Sequence, residues 1–161
     1  MVLTAARFFS LLFVALALMP SGAHLLELPN KMGLSRDDYL TVQQIYNGWA
    51  LLAVVVFGEL ISTLALAILS RRRRRESVRA AAAFGCVVGA QVVFWAYTYP
   101  MNQATRNWTF LPEVWQPVRA QWEYSHAAAA LLNLAAMILL ILHLLAAIGA
   151  GDGSEPARTP R

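Results

Sequence analysis

Four apolar stretches, each long enough to cross a lipid bilayer, limit what this chain can fold into. They run over Leu3–Met19, Gly48–Leu69, Ala80–Tyr99 and Ala127–Ile148. At 1.5 Å of rise per residue, about 20 helical residues cross a hydrocarbon core ~30 Å thick. Composition agrees: 58% of the 161 residues are hydrophobic and 14% are charged, against roughly 25% charged in soluble chains. The expected fold is all-α, a membrane-embedded antiparallel four-helix bundle spanning residues 1–150. The Gly/Pro-rich polar tail 151–161 is expected to be disordered. "SRDDYLTVQQIYN" should form an amphipathic lead-in to the second span, with Ser35 as N-cap and Asp37 and Asp38 in the first turn. "PVRAQWEYSH" leads into the fourth span, with Pro117 at the first helical position.

Basic residues set the orientation. Arg71–Arg75 and Arg79 lie between the second and third spans, while Arg7, Arg158 and Arg161 lie near the termini. The positive-inside rule makes these segments cytoplasmic, facing anionic lipid, with both termini inside a plasma (inner) membrane. That clustering explains the net charge of +4 without nucleic acid as a partner. Arg7, an apolar core and "SGA" before His24 also fit a cleavable signal peptide, which would leave three spans. Cys86 stands alone in an apolar run and reads as a small buried residue.

Most of the remaining polar chemistry gathers at the outer side. "HLLE" (His24, Glu27) and "EYSH" (Glu123, His126) are both i, i+3 pairs, so each places its His and Glu on one helix face. In antiparallel neighbours the two His would share one depth and the two Glu another, ~4.5 Å higher. Carboxylates and imidazoles pointing inward from facing helices can build a metal site. His24, Glu27, Glu123 and His126 are therefore candidate ligands for a divalent transition metal (Zn, Fe, Mn or Cu), or catalytic acid–base residues with no metal. Closing the bundle's outer end with a wetted polar network is the plain alternative. Asn30, Lys31, Gln43, Tyr46, Asn102, Arg119 and Trp122 surround this place as candidate substrate-binding residues.

Other features carry less. Glu59 and Gln91 lie sixteen residues either side of Arg75, which predicts an intramembrane polar pair joined by a hydrogen bond. His143 reads as an interfacial residue at the inner end of span four. Trp108, Trp115, Trp122, Tyr97 and Tyr99 read mainly as an interfacial aromatic belt. "NWT" at 107–109 matches a glycosylation sequon. Phosphate-binding Gly loops, CxxC pairs and nucleophile elbows are absent from the sequence.

"HLLELPNKM", "DDYLTVQQIYNGW", "YPMNQATRNWT" and "RAQWEYSHAAAA" resemble the signature segments of a four-span membrane family of unknown function that includes the fungal anthrone oxygenases. The resemblance extends over roughly residues 5–148. It implies a retained first span and places His24, Glu27, Asn30, Tyr46, Asn102, Trp122, Glu123 and His126 in signature positions. It also implies oxidation of polycyclic phenols by molecular oxygen, although many members have no assigned substrate.

The first reading is thus an oxidoreductase acting on a small apolar aromatic or quinone-like ligand at the outer interface. His24 and His126 would be ligands or general bases, and Glu27 and Glu123 would be co-ligands or would orient the imidazoles. Lys31, Arg119 or Asn102 would stabilise an oxyanion. The rivals are a small-molecule binding or proton-coupled transport protein using Glu59, and a non-catalytic structural subunit. Membrane lipid is the constant partner, and a homo-oligomer is compatible with each reading.

Overall fold

The computed structural model describes the backbone of residues 1–152 and side chains as far as Gly149. The tail expected to be disordered falls almost wholly outside the described residues. Six α-helices order the chain: α1 (Val2–Met32), α2 (Arg36–Gln43), α3 (Ala53–Leu69), α4 (Arg74–Val93), α5 (Tyr99–Ala104) and α6 (Gln116–Asp152). Two 3₁₀ turns, Gln44–Tyr46 and Trp49–Leu52, join α2 to α3, and a π-helical turn, Phe94–Thr98, joins α4 to α5. No strand occurs among the described residues, so the fold is all-α. Among the described residues four helical stretches are long and apolar enough to cross a membrane. This is the make-up of an integral, multi-pass membrane protein.

The long helices pack in a closed ring, α1 against α3, α3 against α4, α4 against α6 and α6 back against α1. Register between α1 and α6 is set at both ends: Arg7 meets His143, and His24 meets His126. The shared core is small-grained, with Ala6, Val14, Ala80, Ala83, Val87 and Ala136 beside Leu66 and Leu140. Small side chains let helix backbones approach closely, which is how helices associate where lipid offers no hydrophobic drive. Gly58 follows the same logic, because a Cβ there would overlap the Phe13 ring of α1.

Several elements run further than expected. α1 does not end near Met19 but continues through Pro20 and Pro29 to Met32, so "HLLELPNK" is helical. Its end is tied down by α6: Arg119 Nη1 donates to the carbonyls of Lys31 and Leu34 at 3.3 and 3.0 Å. A cation on the last carbonyls of a helix is favourable by charge and hydrogen bonding. Gly33 and Leu34 then turn the chain into α2, where Ser35 caps the helix by accepting from the Asp38 N–H. Gly48, at φ 88°, supplies the left-handed turn between the 3₁₀ pieces. The π turn precedes Pro100, whose missing N–H removes one regular helical bond at this point.

Three tryptophans expected in a lipid-facing belt are instead buried. Trp108, Trp115 and Trp122 pack with Tyr39 and Leu111 into a second core, which lies over the His24 end of the ring. Tyr97 and Tyr99 are exposed, as a belt requires. The loop that delivers Trp108 holds Arg106, Asn107 and Trp108 at φ 52°, 54° and 62°. Left-handed backbone costs a non-glycine residue roughly 1–2 kcal/mol, and surrounding bonds hold it: Trp108 N–H donates to Thr105 Oγ1 and its indole to Asn102 Oδ1. The sequon asparagine lies in this strained turn.

At the opposite end, Arg7 donates to Glu76 at 2.7 Å and to His143 Nε2 at 3.2 Å. His143 Nδ1 lies 3.0 Å from the Glu76 carbonyl. A carbonyl only accepts, so Nδ1 carries the proton and the ring is neutral. His143 is buried at 1% exposure rather than interfacial, a knot between α1, α4 and α6. Arg71–Arg75 remain exposed beside it.

Gly58→Ala should destabilise the ring of helices by roughly 1–3 kcal/mol through overpacking. Adding Phe13→Ala should return part of that loss, read by denaturant or thermal unfolding in detergent.

Candidate functional site

Three helical stripes converge at the His24 end. α1 contributes His24, Glu27 and Lys31 at i, i+3 and i+7; α6 contributes Arg119, Trp122, Glu123 and His126; α2 contributes Tyr39 and Gln43 at i and i+4. These spacings each present one helix face. At their meeting point sits the Lys31 ammonium, on a residue only 3% exposed. It is the chain's sole lysine among 13 basic residues.

Lys31 Nζ lies 3.0 Å from Glu27 Oε2 and 3.5 Å from Glu123 Oε1. It also reaches His24 Nδ1 at 3.4 Å and donates to the Tyr46 hydroxyl. Tyr46 in turn donates to Glu27 Oε2 at 2.7 Å. An ammonium has hydrogens to give and no lone pair to receive with, so His24 Nδ1 accepts and its ring proton resides on Nε2. Glu123 is fully buried, and its Oε1 also accepts from Tyr39 at 2.9 Å and Gln43 at 3.5 Å. Burial raises the Tyr39 phenol well above its ordinary pKa, with Glu123 adding to the rise. Burial, then the bond to Glu27, does the same for Tyr46. Both phenols therefore stay protonated and act as donors to the carboxylates.

The two imidazoles stack, with ring centroids 4.2 Å apart and planes 20° from parallel. Trp122 stands edge-on to both, 5.1 Å from His24 and 4.2 Å from His126. Tyr46 and Trp49 close the other side of His24 at 4.6 and 5.9 Å. Asn102 positions this wall, because its Oδ1 accepts from the indoles of both Trp122 and Trp108, at 2.8 and 3.1 Å. The result is an aromatic wall packed directly on the two imidazoles, over a charged and hydrogen-bonded floor. Two buried acceptors of that floor, Glu123 Oε2 and Gln43 Oε1, have no protein partner.

No protein-family model, curated protein or solved structure matches the chain. The geometry therefore stands by itself.

A metal shared by His24, Glu27, Glu123 and His126 does not fit these residues. Among the described residues no group of three or more His, Cys, Asp or Glu side chains is arranged to hold one. The Lys31 ammonium lies between the two carboxylates instead, and a divalent ion there would meet a fixed positive charge. Of the expected substrate-binding residues, Lys31, Gln43, Tyr46, Asn102 and Trp122 gather around the histidines. Arg119 holds the end of α1 and lies over Trp115, 4.4 Å from its ring centre. Asn30 is exposed on the last turn of α1.

Glu59 and Gln91 do not pair. α3 ends at Leu69 and α4 begins at Arg74, so the hairpin turns around residues 71–72 rather than Arg75. Gln91 then lies ~10 Å of helix rise beyond the level of Glu59. Tyr39 was not singled out by its sequence context, although Tyr39 and Gln43 at i, i+4 on an amphipathic lead-in are the pattern of a buried face.

Lys31→Met should cost about 3–5 kcal/mol, because it strands a buried carboxylate. Lys31→Met with Glu123→Gln should recover a large part of that loss, measured as a double-mutant cycle of unfolding free energies in one detergent.

Proposed function

We propose that this chain is a membrane-embedded oxidoreductase of the anthrone oxygenase-like kind, acting on a small, flat, electron-rich phenol or quinone-like molecule. In this reading the helices form an antiparallel four-helix bundle in the plasma (inner) membrane. Both termini are cytoplasmic and the aromatic wall lies at the outer interface, in contact with lipid. The observation that carries the reading is the pair of buried, unpartnered acceptors, Glu123 Oε2 and Gln43 Oε1, on the floor beneath the aromatic wall. Buried acceptors without a donor are rare and call for one; the hydroxyl of a flat aromatic ligand would supply it. The family resemblance of the signature segments supplies the class of reaction.

The roles follow from donor and acceptor capacity. His24 already accepts from Lys31, so it serves as a donor through Nε2–H, with the lysine charge behind it. His126 is then the base that takes a proton from the substrate's activated CH₂ or hydroxyl. The electron pair moves onto the ring oxygen, where His24 and Lys31 stabilise the oxyanion. The carbanion form adds molecular oxygen through a new C–O bond, and the hydroperoxide loses water. The balance is CH₂ plus O₂ giving C=O plus H₂O, with oxygen as the oxidant and the ring carbon oxidised. Glu27 and Glu123 hold Lys31 in place, and Trp122 with Tyr46 excludes water from the anion.

Oxygen uptake by purified protein in nanodiscs, with a three-ring aryl ketone as substrate, tests this. The expected result is one O₂ per substrate and insensitivity to chelators. His126→Ala should lose roughly 10²–10⁴-fold of the rate. A rate no higher than that of empty nanodiscs across a panel of such ketones and the related phenols sinks the proposal.

A further inference from the structure

A second polar feature runs through the apolar interior below the site. Glu59 of α3 is 1% exposed, and its Oε1 has no protein partner. Ser10 of α1 is fully buried with an unpartnered Oγ, and Asn133 of α6 is 7% exposed with an unpartnered Oδ1. These orphaned oxygens come from three different helices of one closed ring, whose hydrophobic core is built of Ala, Val and Leu. A buried polar atom without a partner is costly, and water is the usual partner for such groups in protein interiors.

Their heights form a series. Arg7 and His143 fix one level. Ser10 is three residues further along α1, ~5 Å higher. Glu59 adjoins Gly58, which packs on Phe13, and so stands ~9 Å above Arg7. Asn133 lies ten residues from His143 along α6, ~15 Å up. From there the link is direct: Asn133 Nδ2 donates to Ser21 Oγ at 3.3 Å, and Ser21 is one turn below His24 on α1. The polar levels follow one another at ~4–7 Å of height. The charged and titratable groups nearest this series are Arg7, Glu76 and His143 at its lower end and His24, Lys31, Glu123 and His126 at its upper end. Among the described residues no ion pair reaches Glu59.

We propose that Ser10, Glu59 and Asn133 hold internal water molecules, and that this chain passes protons between Glu59 and the His24 end through Asn133 and Ser21. Glu59 is the proton-holding group: an ionised carboxylate at this depth would have no counter-charge, whereas a carboxylic acid both donates and accepts in a water chain. The function is proton transfer between the membrane interior and the histidine site, whatever reaction that site performs.

Infrared spectroscopy of the protein in nanodiscs tests this without any substrate. A protonated carboxyl C=O band should be present, vanish in Glu59→Gln and move in Glu59→Asp. On transfer to D₂O the band should shift promptly, since water reaches the group. Asn133→Leu should slow that shift roughly tenfold, and Ser21→Ala replaces it if the leucine variant does not fold. A band that resists exchange for hours overturns the internal water. Exchange equally fast in wild type and both variants overturns the route to His24. A spectrum with no Glu59-dependent acid band overturns the proton-holding role.

Discussion

The structure depends on one buried cation. Lys31 brings an ammonium into a place 3% exposed, where desolvation costs several kcal/mol per ion unless partners are close and well aimed. Glu27, Glu123, Tyr46 and His24 answer that cost from three parts of the chain, and each partner acquires a fixed role in doing so. Glu27 and Lys31 close an i, i+4 pair on α1. Glu123 brings α6 against α1, and Tyr39 and Gln43 draw α2 over the top. Tyr46 fastens the turn that leads into α3. The tautomer of His24 is set by the same ammonium.

Much of this architecture is legible in the residues. Four apolar stretches specify four long helices, and the mirrored "HLLE" and "EYSH" spacings point to His24 and His126 as neighbours. The metal reading arose from counting ligands by type. Its error lies in Lys31, whose reach along a four-carbon stem puts a positive charge where the carboxylates meet. That placement has a trace in the sequence, since a single lysine stands in a chain that otherwise uses arginine. The expected Glu59–Gln91 bond missed because residue counting placed the hairpin's turning point several residues too late. Trp108 and Trp115 were hidden for a different reason. Their burial depends on a left-handed turn of three non-glycine residues, which no local preference forecasts and which only tertiary packing holds.

The molecule carries two kinds of polar interior, with different energetics. At the His24 end, charges are compensated and the donors nearly all engaged, leaving open acceptors only on Glu123 and Gln43. Along the axis below, polar oxygens of Ser10, Glu59 and Asn133 stand without partners in a core of small side chains. The first arrangement is rigid and suited to holding an anion as charge develops. The second is suited to water and to protons. Placed end to end, they would let the base of the proposed reaction be recharged from the protein side while aromatic walls keep bulk water away.

Because the chain holds one lysine, the central contact can be measured alone. Solid-state NMR on protein labelled with ¹⁵N at the lysine Nζ and ¹³C at glutamate Cδ reports the distances from Lys31 to its carboxylates in a bilayer. Strong dipolar dephasing is predicted, as Nζ–O separations of 3.0 and 3.5 Å require, and the Glu123 share should persist in Glu27→Gln. A lysine signal with no dephasing from any glutamate would mean that the ammonium lies outside the cluster, and would contradict the account at its base.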